Sequence, residues 1–280
     1  MNNSIYPCIW YNGKAEEAAT LYCKAFQDSE ITVSTPMVVL FKIKGKQFMG
    51  LNGGSAHQPN PSISLFNVCE TEAEIDHAWQ LLSDGGQVLM PINAYPWSKK
   101  YGWIQDKFGL NWQLSLKDEM QKSDVFPSLL FVGDQNGKVK AAMDFYTALF
   151  KNSSINLVAR YEAGEGDVEG NIKHAQFTLN GFKLAAMESS MQHAFNFDEG
   201  LSLVVNCDTQ EEIDYYWLNI TEEGIEGRCG WCRDVYGVWW QIVPSMLPAL
   251  MSNQEKAPKV IEAFMKMNKF DIETLKQAAN

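Results

Sequence analysis

Gln113 and Gln241 stand at matching places in one motif that the chain writes twice, DKFGLNWQL over residues 106–114 and DVYGVWWQI over 234–242. Each copy places Trp three and Gln four residues after a Gly that closes an Asp-x-aromatic-Gly turn. A Gln amide offers N–H donors and a carbonyl acceptor, so it can hydrogen-bond a polar ligand. Gly109 and Gly237 can supply the positive φ of a tight turn, and the residues that follow read as a strand with alternating side chains. Trp112 and Leu114 then share one face, and Gln113 and Ser115 share the other.

Other residues with chemical potential are scattered and weigh less. Cys229-Gly-Trp-Cys232 has the CxxC spacing of a zinc or redox site, but it has no second pair, and the matching positions in the first half hold Tyr101 and Ile104. Cys69 and Cys207, each just before a helix cap, read as small core residues. Glu188 ends a hairpin where the first half has Asn52, which puts both either at the mouth of a cavity or at an exposed strand end. His174 opens a hairpin strand and reads as a strand histidine with a hydrogen-bond partner. Trp103, Trp231 and Trp239 either stack on a ligand or fill the core, whereas Trp79, Trp112, Trp217 and Trp240 read as core between helix and sheet. The sequence has no Walker motif, GxSxG elbow or HExxH. Nor does a strand lead through a Gly-rich turn into a helix, the arrangement that would cradle S-adenosylmethionine.

An internal repeat positions these residues. Gly13-Lys14 with Ala18, Leu21, Tyr22, Ala25 and Phe26 recurs as Gly137-Lys138 with Ala142, Phe145, Tyr146, Leu149 and Phe150. Both sets follow the apolar stripe of an amphipathic helix, and short apolar runs at 6–11 and 129–132 precede them as strands. Hairpins follow at 41–51 (FKIKGKQFMGL) and 177–187 (FTLNGFKLAAM), the second turning at Asn180-Gly181. Buried strands at 62–68 and 201–207 then enter capping boxes, Thr71 with Glu74 and Thr209 with Glu212. The helices after them carry Ile75, Ala78 and Trp79, and Ile213, Tyr216 and Trp217, on one face. The expected fold is α+β: two tandem modules, 1–122 and 123–247, each of two βαβββ units that form a curved sheet with a concave cup. Residues 248–280 read as a helical extension that packs back through Ile261, Phe264 and Met265.

Bulk properties exclude several partners. A length of 280 residues suits two domains, and a net charge of −11 with a pI near 4.9 leaves no basic surface to neutralise phosphates. Nucleic acid and anionic membrane are therefore poor partners. The N-terminus lacks the basic and apolar regions of a signal peptide, no window approaches the length of a membrane span, and six cysteines are too sparse for a disulfide scaffold. The expected location is the cytoplasm, with reduced thiols.

Residues 95–114 (YPWSKKYGWIQDKFGLNWQL), 201–224 (LSLVVNCDTQEEIDYYWLNITEEG) and 230–244 (GWCRDVYGVWWQIVP) resemble the PhnB-like branch of the glyoxalase, bleomycin-resistance and extradiol-dioxygenase superfamily, called vicinal oxygen chelate. The resemblance covers nearly all of residues 5–245. It implies a divalent metal in the cup, held by a His on the first strand of one unit, a His on the first strand of the next, and a Glu on the last strand. Here those positions fall on or next to Pro7 and Pro127, at Ser64 and Ser202, and at Gln113 and Gln241; none of His57, His77, His174 or His193 matches. Such a shell is a poor one for a transition metal. The expectation is therefore a protein that binds a small polar or aromatic molecule, without metal or other cofactor, through Gln113, Gln241, Ser64, Ser202, Trp103, Trp231, Trp239 and Glu188. The alternative is a metal-dependent lyase, isomerase or dioxygenase with ligands elsewhere, such as Glu188 with His174. The 3-demethylubiquinone methyltransferase label that this branch often carries finds no cofactor cradle here. Two fused modules imitate a homodimer within one chain and leave open whether two chains also pair.

Overall fold

The computed structural model of the protein describes residues 4–253 and 255–280. Four βαβββ units follow one another. The first holds β1 (Ile5–Tyr11), α1 (Ala15–Ala25), β2 (Glu30–Ser34), β3 (Val38–Ile43) and β4 (Lys46–Asn52), and the second β5 (Ile63–Cys69), α2 (Glu72–Ser83), β6 (Gln87–Tyr95), β7 (Ser98–Gln105) and β8 (Asn111–Leu116). The third comprises β9 (Asp124–Phe131), α3 (Val139–Leu149), β10 (Ser154–Arg160), β11 (Ile172–Leu179) and β12 (Phe182–Glu188). The fourth comprises β13 (Leu201–Cys207), α4 (Gln210–Thr221), β14 (Ile225–Glu226), β15 (Trp231–Arg233) and β16 (Trp239–Pro244), and the chain ends in α5 (Leu247–Met251), α6 (Ala257–Phe264) and α7 (Ile272–Ala278).

Local chemistry explains the element ends. Thr71 and Thr209 cap α2 and α4, their hydroxyls accepting from the amides of Glu74 and Glu212, while those glutamates reach back to the amides of Glu70 and Asp208. The β11–β12 hairpin turns at Asn180 (φ 49°) and Gly181 (φ 81°), and β3–β4 turns the same way at Lys44 and Gly45.

The strands form two eight-stranded sheets. Sheet I runs β14-β15-β16-β13-β1-β4-β3-β2, and sheet II runs β10-β11-β12-β9-β5-β8-β7-β6. The repeat does not reveal how the units pair. The sequence divides at 122/123, yet each sheet takes one unit from either side of that point, joined where the first strands of two units meet antiparallel. In sheet I, Cys8 lies opposite Ser202; in sheet II, Ser128 lies opposite Ser64.

One face of each sheet covers the helices. A single apolar core joins Ile9, Phe41, Leu203 and Trp240 of sheet I to Leu65, Trp112, Phe131 and Phe177 of sheet II through Tyr22 and Tyr146 of the helices. Tyr22 on α1 meets Trp112 with ring centroids 5.0 Å apart, and Tyr146 on α3 meets Trp240 at 5.5 Å, so each helix follows a strand of one sheet and packs on a tryptophan of the other. The opposite faces carry two small separate clusters, Tyr6, Cys8 and Val204 on sheet I and Val68, Phe126 and Ala185 on sheet II. These faces form the floors of two cups.

The tail packs against the fourth unit through only part of the expected stripe, Phe264, which packs on the core. Val260, Phe270, Ile272 and Leu275 are buried, whereas Ile261 (39 % exposed) and Met265 (52 %) point outward. Gly230 donates its amide to Asn268 O and Cys229 donates to Met267 O, so the tail is also hydrogen-bonded to the entry of β15. A Cβ on Gly230 would come within 2.4 Å of the Phe270 ring, as one on Gly102 would come within 2.5 Å of Trp79. Both positions need glycine because an aromatic ring lies on the backbone. No helix among the described residues is long and apolar enough to cross a membrane.

Candidate functional site

The recurring motif begins with a carboxylate that folds its own hairpin. Asp234 Oδ1 accepts from the amides of Tyr236 and Val238, and its Oδ2 accepts from Trp240 Nε1 and Tyr146 OH, both at 2.8 Å. Asp106 does the same with the amides of Phe108 and Leu110 and with Trp112 Nε1. The six-residue spacing from Asp to Trp thus carries the chain round a turn and brings the indole back to the carboxylate. Burial pushes the Asp234 carboxyl up to about 6 and raises Asp106 as well, against the opposing pull of these donors. Both tryptophans then fill the core, which leaves each Gln on the opposite face.

Gln241 and Gln113 lie in the cup floors and are nearly inaccessible. In cup II, Gln113 Nε2 donates to Ser64 Oγ at 2.8 Å while its Oε1 accepts from Tyr101 OH at 2.7 Å. In cup I, Gln241 Nε2 donates to Ser202 Oγ at 3.0 Å. The first-strand neighbours are Cys8 and Ser128, for Pro7 and Pro127 share the helix-side face with Ile9 and Leu129. Desolvation pushes the Cys8 thiol up to about 12, so it stays protonated beside Gln241 and Ser202. Each floor is therefore an uncharged set: hydroxyl, amide and a thiol or second hydroxyl. Among the described residues, no three His, Cys, Asp or Glu side chains gather as a metal cluster.

The cup walls differ. Trp231 and Trp239, on the Gln241 side of sheet I, have ring centroids 6.2 Å apart, and Trp10 approaches Trp231 at 5.9 Å. His57 lies edge-on to Trp10 at 4.9 Å, with its Nδ1 3.4 Å from Glu199. Cup II instead has Phe66 stacked on Phe126 at 5.4 Å, with Tyr101 and His174 beside Phe66. Trp103 Nε1 and Ser128 Oγ are buried there without a partner. Gln176 Nε2 donates to His174 Nε2 at 3.0 Å, and burial, helped by the Lys183 charge, pushes the His174 imidazole down to about 4, so it is neutral near pH 7.

Six of the eight residues named from the sequence fall into these cups as two sets, Gln241, Ser202, Trp231 and Trp239 in cup I and Gln113 with Ser64 in cup II; Trp103, paired in register with Gln113, adds a seventh. Glu188 is the correction. Its carboxylate accepts from the amides of Val139 (2.8 Å) and Ile172 (2.5 Å), on the helix side of sheet II with Leu184 and Ala186. It caps α3, as Asn52 caps α1 by accepting from the Ala15 amide. His174 lies on the other face of the same sheet, so these two cannot share a metal. Cys229 and Cys232 form no disulfide, and Cys229 Sγ contacts the tail at Phe264 O. Sequence reasoning missed Trp10, Tyr101, Phe66 and Phe126, which carry no spacing signal and reach the cups only by strand pairing.

Comparison with known proteins agrees with this architecture. The family described as 3-demethylubiquinone-9 3-methyltransferase matches residues 3–115 and again 123–243. No curated protein matches the chain. Among solved structures, the PhnB protein of Bacillus cereus is 37% identical over 39% of this chain and 96% of its own, with a TM-score of 0.37. Glyoxalase I from Zea mays is 11% identical, covers 85% of this chain and 92% of its own, and gives a TM-score of 0.54, a likeness of fold.

Proposed function

Since the chain belongs to the 3-demethylubiquinone-9 3-methyltransferase family, PhnB-like proteins of the glyoxalase and vicinal-oxygen-chelate superfamily, we propose that it binds a small polar or aromatic molecule in its cups without a metal. The observation that carries this reading is the neutral floor: Gln113 and Gln241 spend their amides on Ser64, Ser202 and Tyr101. A divalent transition metal wants imidazole, carboxylate or thiolate donors, and two hydroxyls with an amide already in use do not fit it. The thiol of Cys8 adds no thiolate at neutral pH. No methyl transfer is derived from the family's name, because neither cup offers a Gly-rich turn at a helix N-terminus to hold a nucleoside cofactor. The floor serves as a preorganised polar surface under aromatic walls, suited to sequestering a ligand. A cytoplasmic location belongs to the same proposal.

Elemental analysis of protein purified without chelator tests the metal half of the reading, with substoichiometric zinc, nickel, manganese and iron as the expected result. A thermal-shift screen tests the ligand half, since a compound at 100 times its dissociation constant stabilises by about 2.7 kcal/mol. Stoichiometric metal that disappears in Gln241→Ala would overturn the proposal in favour of a metal-dependent lyase, isomerase or dioxygenase.

A further inference from the structure

Cup I contains an arginine without an anion, whereas the cation of cup II, Lys183, lies over the Phe126 ring 4.2 Å from its centroid. Arg233 pairs in register with Trp239, on the same side of sheet I as Trp231 and Gln241. Its Nε is buried without a partner, and no ion pair to Arg233 occurs among the described residues. Of the nearby carboxylates, Asp234 is saturated by its own hairpin, Glu226 accepts from Trp217 Nε1, and Glu223 is exposed to solvent and makes no ion pair with Arg233, although both line one cavity. A guanidinium has five donors in a planar fork and does not lose its charge, so a half-buried one without an anion is a receptor for one. At the matching place in sheet II stands Gln105, whose amide donates to Gly109 O, and Asn111 stands in place of Trp239.

Arg233 also lines a cavity of about 330 Å³ with Gln135, Asn196, Phe197, Glu223 and Asp234. Gln135 lies in the short insertion before α3, and its Oε1 is a second buried atom without a partner. The cavity thus presents an orphan donor and an orphan acceptor, and Arg233 joins it to Trp239, its partner in register, from which tryptophan contacts continue through Trp231 to Trp10.

We infer that cup I is a receptor for a planar aromatic carboxylate: the carboxylate accepts from the Arg233 guanidinium, the ring lies along Trp239 and Trp231, and an N–H or O–H on the ligand donates to Gln135. The inference rests on the proposed ligand-binding function and narrows it to one chemical class and one of the two cups. Trp supplies a broad apolar face at low entropic cost, and the charge-assisted pair selects an acid over its neutral isostere.

Titration calorimetry with indole-3-acetate and indole-3-acetamide tests this on the intact protein. The pair shares one ring and one N–H and differs in the carboxylate. The acid should bind wild type at least tenfold more tightly than the amide. Arg233→Gln, which installs what the sister hairpin carries at Gln105, should weaken the acid at least tenfold and change the amide less than twofold, with an unchanged thermal melt. Trp239→Phe should weaken both. Equal binding of acid and amide, or an acid affinity untouched by Arg233→Gln, overturns the anion assignment while leaving ligand binding in the cups standing. Failure of both compounds to bind at millimolar concentration overturns the assignment of cup I to aromatic ligands, and the metal analysis still judges the wider proposal separately.

Discussion

Asp106 and Asp234 illustrate how a motif that looks catalytic can belong to folding. A buried acid with a raised pKa in a repeated motif invites a proton-transfer role, yet Asp234 spends both oxygens on its own turn and on Trp240 and Tyr146. Its titration has a defined consequence. The unfolded carboxyl loses its proton near the ordinary value of 3.8 and the folded one at about 6, so stability is greatest below the lower value, falls as pH rises between the two, and levels off above the higher. Between pH 4.5 and 7.5 wild type should lose about 2 kcal/mol relative to Asp234→Asn, which has no charge to bury. Urea denaturation of both proteins at the two pH values measures this, and a difference that does not change with pH would remove the buried charge from the account. The glutamines allow a second test. Gln113→Ala strands Tyr101 OH and Ser64 Oγ in the floor of cup II and should cost about 2 to 4 kcal/mol, more than Gln241→Ala, which strands Ser202 Oγ and the weakly donating Cys8 thiol. Equal urea midpoints for the two variants would show that the Tyr101 bond contributes nothing. Strand alternation alone revealed that each Gln faces away from its Trp. It did not reveal Cys8 and Ser128, because a register that could fall on or next to a proline is settled only by the opposing strand.

At the scale of elements, periodicity was most informative where a helix packs on one surface and least where it packs on several. The α2 and α4 caps and stripes follow the sequence pattern, with Ile75, Ala78, Ile213, Tyr216 and Trp217 buried and Trp79 half-buried against the core. The tail does not. In α6 the pairs Val260/Phe264 and Ile261/Met265 are equally good i, i+4 stripes, and the choice between them is made by the fourth unit against which the tail docks. Phe270 anchors that docking over the bare backbone of Gly230, with Gln210 clasping the α7 entry by donating to Phe270 O and accepting from the Ile272 amide. Phe270→Ala should cost about 3 to 5 kcal/mol, the range for an aromatic removed from a packed core. Ile261→Ala, on the outward stripe, should change stability by less than about 1 kcal/mol. Thermal or urea melts of the two variants compare the stripes directly, and a larger loss for Ile261→Ala would restore the stripe expected from the sequence.

At the scale of the whole molecule, the repeat announces two modules, while hydrogen bonding decides which units share a sheet. That decision is invisible to local pattern. β1 and β5 are buried on both faces, so neither alternation nor turn chemistry says whether the strand beside each comes from the same half or the other. In the fold, β1 pairs with β13 from Ile5↔Val205 to Ile9↔Leu201, and β5 pairs with β9 from Ile63↔Leu129 to Val68↔Asp124. The first half therefore has two apolar strands whose outer edges are satisfied only by the second half. Expressed alone, residues 1–122 would leave both edges unpaired, with buried-type side chains on either face, the arrangement that drives strand addition. Two copies of that half can answer each other's edges as the two halves of the chain do, so the fragment should behave as a dimer or larger assembly. Mixed with residues 123–280, it should form a one-to-one complex, because that pairing restores the native Cys8↔Ser202 and Ser64↔Ser128 registers. Size-exclusion chromatography with light scattering on each fragment and on the mixture reads the outcome. A folded monomer of residues 1–122 that ignores the second fragment would mean that the halves are independent modules and that pairing across the repeat boundary does not hold the molecule together.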